Sequence, residues 1–340
     1  MIPAPSDMRG DTRADSSARG NAAAPNPSSL GYGAPEQTPL CEVLASNMKD
    51  RAPSSVQDMV EVVRLVLTPL LRDGATKEAL DLVAAVLEQP RFWPSLFGRN
   101  MISGGQVTAI VQAADRRARG APFAYAVRTS AYRYLTLIVD ERVLIPRQET
   151  EMLVDLILAT PQGAAGGTVA DIGTGSGAIA LALASEGRFD RIIATDVSTD
   201  ALDVAVENAH RLSGSLKAVV EFRVGDALAP LAGDMVDVLV CNPPYIAFAE
   251  VPELPATVRD WEPPQALVCP DDGLAVTQAV ATGAAVVIRA GGLLAFEVDS
   301  RRAHRVAAMV EATGSFGDIR VIQDFTGRER FVLATRLTID

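Results

Sequence analysis

Asn242-Pro243-Pro244-Tyr245 is the segment whose residue types and spacing point most directly to chemistry. It follows the apolar run Val236 to Cys241, which has the character of a buried strand. Proline fixes its own φ and keeps the residue before it extended, so the Asn242 amide oxygen and the Pro243 carbonyl can both be held toward one planar NH2 group. Tyr245 would stack on the plane of that group. An amide nitrogen is a poor nucleophile because its lone pair is delocalised. Two acceptors on its hydrogens orient it and favour the charge that develops as it attacks. Asn242, Pro243 and Tyr245 are thus the expected catalytic residues, and all four from Asn242 to Tyr245 the expected substrate contacts.

A second motif, Asp171-Ile172-Gly173-Thr174-Gly175-Ser176-Gly177, stands where a strand gives way to a helix. Glycines there permit a tight turn and close approach of a ligand to the backbone, and the helix start offers unpaired N–H donors. Read through Ala178, the same residues fit Gly-x-Gly-x-x-Ala, so the motif alone suits a nicotinamide cofactor as well as S-adenosylmethionine. Asp196 ends the next strand, where a carboxylate can accept both ribose hydroxyl protons; Ser198 and Thr199 are better placed to cap the helix that follows. In Gly225-Asp226-Ala227, Asp226 either accepts from an adenine amino group beside the Ala227 backbone or only forms a turn. Asp171 likewise either positions the loop or touches ligand. The expected cofactor contacts are Asp171, Gly173, Thr174, Gly175, Ser176, Gly177, Asp196, Asp226, Ala227 and Asn242. A nicotinamide cofactor would leave Asn242 to Tyr245 without a use.

Composition narrows the possibilities. The net charge is −11, so the surface as a whole repels a phosphate backbone, and direct sequence-specific nucleic-acid binding is not expected. Cys41, Cys241 and Cys269 are far apart, and with His210 and His304 no set has zinc-site spacing. No apolar run reaches the roughly 18 residues of a bilayer span. A monomeric, metal-free, cytoplasmic protein is the expectation.

The elements that must position these residues can be read in outline. Residues 1–38 are rich in Ser, Pro, Gly, Ala and Asn, lack apolar periodicity and read as a disordered tail. Residues 39–120 read as a helical domain of about four helices: Val60, Val63, Leu67 and Leu70 share one face, Leu80, Val83, Ala84 and Leu87 another, and a last helix runs from Val107 to Arg119. Residues 121–148 read as a β-hairpin linker. From 149 to 340, strand and helix signals alternate, which implies an α/β domain with a parallel sheet covered on both faces. Its strands are expected at Thr168 to Ile172, Arg191 to Thr195, Val219 to Val224, Val236 to Cys241 and Leu293 to Val298. A closing antiparallel hairpin follows, turned at Thr326-Gly327.

With these motifs in place, the chain resembles the HemK/PrmC family of protein-(glutamine-N5) methyltransferases from about Leu80 onward. Besides the glycine loop and Asn242 to Tyr245, the resemblance rests on Arg119 to Tyr125, Val143 to Glu151, Trp261 to Leu267 and Asp272-Gly273-Leu274. It implies a seven-stranded class I, Rossmann-like methyltransferase domain behind a helical substrate-recognition domain. It also implies S-adenosylmethionine as methyl donor, and as partner the Gly-Gly-Gln loop of class I peptide chain release factors. By the same resemblance, Gly173 to Gly177 and Asp196 hold cofactor, Ala227 lines the adenine pocket, and Asn242 to Tyr245 hold the glutamine. The chain departs from the family at Gln148, Val298-Asp299 and Ala227. A ribosomal-protein glutamine, and less readily an adenine N6 in nucleic acid, remain alternative acceptors. The chain's own Gly104-Gly105-Gln106 is read as a chance match.

Overall fold

A computed structural model describes residues 55–338; the tail expected over residues 1–38 lies outside the described residues. The first described element, helix α1 (Val56–Leu71), starts at a capping box in which Ser55 and Asp58 satisfy each other's backbone N–H groups. It buries Val56, Met59, Val63 and Leu67 against α2 (Ala75–Val86) and α3 (Gly104–Ala118). Leu70, expected on that face, is exposed instead: the interior stripe follows Val56, Met59, Val63 and Leu67, with Pro69 and the turn at Arg72 closing the helix. Between α2 and α3 lies only a four-residue helix, Trp93–Leu96. The Gly104-Gly105-Gln106 triplet opens α3, where the Gln106 side-chain oxygen accepts from Ser103 N at 2.9 Å as half of a second capping box. A helix-start pattern explains the triplet.

Gly120, at φ 97°, stops the helical region in a conformation that favours glycine. The expected hairpin is shorter than its sequence signal, because Phe123–Val127 is helical and only β1 (Thr129–Tyr132) and β2 (Leu135–Ile138) pair. Helix α4 (Gln148–Leu158) was not read from the sequence as an element of its own; Leu153, Val154 and Ile157 turn its buried stripe inward.

The remaining elements alternate as expected. Strands β3 (Gly167–Ile172), β4 (Phe189–Asp196), β5 (Val219–Val224), β6 (Val236–Cys241) and β7 (Ile288–Glu297) run parallel. The hairpin of β8 (Phe316–Gln323) and β9 (Glu329–Arg336) adds antiparallel, with β9 beside β7. The seven-stranded order is β5-β4-β3-β6-β7-β9-β8, with the reversal of strand order between β3 and β6. Strand β7 begins at Ile288, earlier than the apolar run suggested, because Ile288 pairs with Val236. One face of the sheet is covered by α4, α5 (Ala178–Glu186) and α6 (Thr199–Arg211), the other by α7 (Ala275–Val287) and α8 (Ala303–Ala312). Helix α5 is buried all round from Ala178 to Ala184, which is why its sequence shows no polar stripe. This is the class I methyltransferase fold.

Asn208 on α6 ties three parts of this frame together. Fully buried, it accepts from Ile138 N at 2.6 Å and donates to Ile138 O and to Ser176 O, both at 3.0 Å, so the hairpin and the glycine loop share one side chain. Asn208→Ala leaves a backbone N–H and two carbonyls without that partner, and we expect it to lower the unfolding free energy by about 1–3 kcal/mol in a denaturant titration.

Candidate active site

The carboxyl ends of the parallel strands form the site. Ile172 pairs with Thr195 on one side and with Cys241 on the other, and Cys241 pairs with Phe296. The next residue of each strand path is Gly173, Asp196, Asn242 and Glu297 respectively. Four neighbouring strands thus deliver these four residues at one level.

The glycine loop divides into two kinds of position. Gly173, Gly175 and Gly177 have φ of 71°, 55° and 82°, which a residue with a Cβ adopts only under strain. A Cβ on Gly173 or Gly175 would meet open space, so these two leave room for a ligand. One on Gly177 would stand 3.1 Å from Leu181 Cδ1 and 3.3 Å from Ala205 Cβ, so that glycine serves helix packing. Gly173 N and Thr174 N donate to Thr195 O at 2.9 and 2.8 Å, fixing the turn to β4.

Asp171 lies behind this loop. It is wholly buried; its Oδ2 accepts from Thr174 Oγ1 at 2.7 Å and from Ala180 N at 3.2 Å, while Oδ1 has no partner. Burial pushes its carboxyl up to about 7, and the Asp196 charge adds to that against the two hydrogen bonds. Of the expected cofactor contacts, Asp171, Thr174, Ser176 and Gly177 are buried and do not line the hollow in front of the loop, whereas Gly173, Gly175, Asp196, Asp226, Ala227 and Asn242 do. The four buried residues hold the loop from behind, a task the sequence left open for Asp171 alone. Asp196 Oδ2 accepts from Gly175 N and Oδ1 from Ser198 N, each at 2.9 Å, and Ser198 caps α6 as expected. Burial raises the Asp196 pKa, against the backbone donors. An accept-only carboxylate at a glycine turn, with Gly173 and Gly175 left open, fits a ribose-bearing cofactor.

A second hollow adjoins the first, and Leu144, Asn242, Pro243 and Ala266 line both. Tyr245 lines only the second, with Arg147, Arg301 and Arg330 set against Glu250, Glu253 and Asp299. Burial, with the nearby Glu297 charge, pushes the Tyr245 hydroxyl up to about 12, so it stays protonated at neutral pH. The segment holding Tyr245 is pinned from outside: Ile246 N donates to Leu267 O and Cys269 N to Ile246 O, both at 2.9 Å. Gly273, at φ 76°, lies so close that a Cβ would come within 2.2 Å of Tyr245 O. Buried Glu262 accepts from Ile145 N at 3.2 Å and pairs with Arg147 at 2.5 Å, joining the 143–151 segment to the 261–267 segment.

Sequence reasoning missed Thr150 and Glu297 as site residues. Asn242 Nδ2 donates to Thr150 Oγ1 at 3.3 Å, and the Thr150 hydroxyl beside Glu297 holds that carboxyl down against the effect of burial. The signal for Glu297 was available: a charged residue set within the apolar strand expected at Leu293 to Val298. Thr150, inside a helix not read from the sequence, gave none. Among the described residues, no cluster of His, Cys, Asp or Glu is suited to a metal, and no helix is long and apolar enough to cross a membrane.

Comparison with known proteins agrees with this geometry. The methyltransferase small domain family matches residues 148–253, from the start of α4 past Tyr245. The release factor glutamine methyltransferase of Moorella thermoacetica is 45% identical over 66% of this chain and 78% of its own length. Proteins of the same name from Xylella fastidiosa (strain Temecula1) and Chlorobaculum tepidum are 36% and 37% identical, over 74% and 66% of this chain and 90% and 78% of theirs.

The raised carboxyl of Asp171 makes stability depend on pH. Its folded pKa lies above the ordinary value, so the folded chain binds an extra proton from about pH 4 to about pH 7, and the associated stability is lost as pH rises through 7. Asp171→Asn removes that titration. Its unfolding free energy should fall less than that of the wild type between about pH 5 and about pH 8, as measured by urea unfolding.

Proposed function

The chain belongs to the release factor glutamine methyltransferase family, and from that membership we propose that it transfers a methyl group from S-adenosylmethionine to the side-chain amide nitrogen of a glutamine in the Gly-Gly-Gln motif of class I peptide chain release factors. The observation that carries this reading is the position of Asn242 and Pro243, which line both hollows. One hollow has the open glycines and Asp196, suited to an adenosine-bearing cofactor; the other has Tyr245, suited to a planar side chain. The bound cofactor would supply an electrophilic methyl on a positively charged sulfur. The protein's task is then orientation. Asn242 Oδ1 and the Pro243 carbonyl accept the two amide protons of the glutamine, Tyr245 covers its plane, and no strong base is needed because the proton can leave to water after transfer. Asp196 accepts from the ribose hydroxyls, and Ala227, at φ 45°, borders the adenine.

A protein acceptor is favoured over nucleic acid by the second hollow, whose three arginines face three carboxylates and so offer no net positive path for a phosphate backbone. We assign substrate recognition to the helical region ahead of Gly120, where Phe92, Leu96, Phe97 and Met101 are exposed close together in sequence.

The deciding experiment is transfer of labelled methyl to purified class I release factor and to its Gly-Gly-Gln to Gly-Gly-Ala variant, with mass mapping. Label on the wild-type glutamine alone is expected; label absent from the release factor but present on a ribosomal protein would redirect the substrate assignment. Asn242→Ala should cut kcat on the order of 100-fold or more with cofactor affinity nearly unchanged, and unchanged turnover would sink its assigned part. Asp196→Ala should do the reverse, weakening cofactor binding about 10-fold or more in a calorimetric titration.

A further inference from the structure

Among the described residues, Glu297 is a buried carboxylate that the chemistry above does not use. Its side chain is 1% exposed, and Oε2 has no hydrogen-bond partner. It ends β7 beside β6, one residue beyond the Cys241–Phe296 pair, as Asn242 is on its own strand path. Between the two stands Thr150 in the first turn of α4, itself buried and held in place by Tyr132, whose hydroxyl donates to Thr150 O at 3.1 Å.

With Glu297 ionised, the order of donors along this chain has one consistent solution. An ionised carboxylate only accepts, so the Thr150 hydroxyl gives its single proton to Glu297. Having spent that proton, Thr150 Oγ1 can only accept from its other neighbour, so Asn242 must turn its NH2 toward Thr150, as it does at 3.3 Å. Oδ1 is then the atom left for the substrate. A flipped Asn242 would present N–H donors to the glutamine NH2, two donors face to face.

We propose that Glu297 is a positioning residue which, through Thr150, fixes the side-chain amide of Asn242 with its oxygen toward the substrate nitrogen. This rests on the reading of Asn242 as the acceptor for a substrate NH2 group. The relay holds only while Glu297 is ionised; once protonated, Glu297 can donate to Thr150, and Thr150 can then donate to Asn242 Oδ1 and hold the flipped amide. The charged and titratable groups that interact electrostatically with Glu297 are Arg330 on β9, Arg147 and Glu149 at the start of α4, Tyr245 after β6 and Tyr132 on β1. Burial outweighs the arginines and the Thr150 hydrogen bond and pushes its carboxyl up to about 7. The relay therefore strengthens as pH rises through neutrality.

Three variants test this: Glu297→Gln, whose amide can donate to Thr150; Thr150→Val, which cannot accept; and Thr150→Ser, which restores the hydroxyl. In methyl transfer to release factor, Glu297→Gln and Thr150→Val should each lower kcat about 10- to 100-fold with KM and cofactor affinity within about 2-fold, and Thr150→Ser should recover most of the rate. The wild-type rate should show an acidic limb centred near neutral pH that Glu297→Gln lacks. Wild-type kcat or an unchanged limb in Glu297→Gln, or equal rates for the Val and Ser variants, would overturn the relay. Should Glu297→Gln melt without a folded baseline, the Val and Ser pair decides, since both keep the carboxylate.

A readout independent of turnover separates the relay from the substrate assignment. The Asn242 side-chain NH2 signals in 15N spectra, identified by their loss in Asn242→Ala, should shift with a midpoint near neutral pH in the wild type and stay still in Glu297→Gln. Signals that do not titrate in the wild type overturn the relay, whatever protein turns out to carry the glutamine. Absent transfer with titrating signals faults the substrate instead.

Discussion

The site depends on the register of the parallel strands. Because Ile172 sits level with Thr195 and Cys241, and Cys241 level with Phe296, the first residues past those positions emerge side by side at one edge of the sheet. A parallel ladder that slipped by one residue would reverse every side chain and turn Asn242 and Asp196 toward the helices. Interior strands buried on both faces hold the register firmly: Val169, Ile192, Ile193, Val238, Leu239 and Val240 are all without exposure. The order reversal between β3 and β6 opens the crevice in which a ligand can lie.

Two buried carboxylates stand at this edge, and each gives up part of the folding free energy for geometry. Asp171 holds the glycine loop through Thr174 and the helix start through Ala180, and Glu297 lies beside Thr150; each also keeps one oxygen without a partner. Burial penalises the charged form by several kcal/mol before its hydrogen bonds offset that, which is why both titrate near neutral pH rather than near 4. Neither lies on the surface of a hollow where a ligand could touch it directly, so each works through a neighbour.

The substrate side is built by contacts between segments far apart in the chain. Glu262 joins Ile145 and Arg147, the strip Leu267 to Cys269 brackets Ile246, and Gly273 lets its own segment press on the Tyr245 carbonyl. These are the same stretches, 143–151, 261–267 and 272–274, whose residue patterns carried the family resemblance. Glu262 meets its partners 115 and 117 residues away, which leaves little freedom at either end of that contact.

The sequence by itself determined the alternation of strands and helices, the glycine turn, the Asp196 position and the segment from Asn242 to Tyr245. Each of these is a local property: apolar period, backbone permissiveness at glycine, or stiffness at proline. It could not separate the residues that face the hollow from those behind it, because Gly173 and Gly177, or Asp171 and Asp196, have the same type and differ only in which side the turn presents. Nor could it bring Thr150 and Glu297 to Asn242, since the Thr150 contact spans 92 residues and the three residues come from separate parts of the chain. Tertiary structure decided them, because the direction of a hydrogen bond is set by every group along its chain and not by any one residue's type.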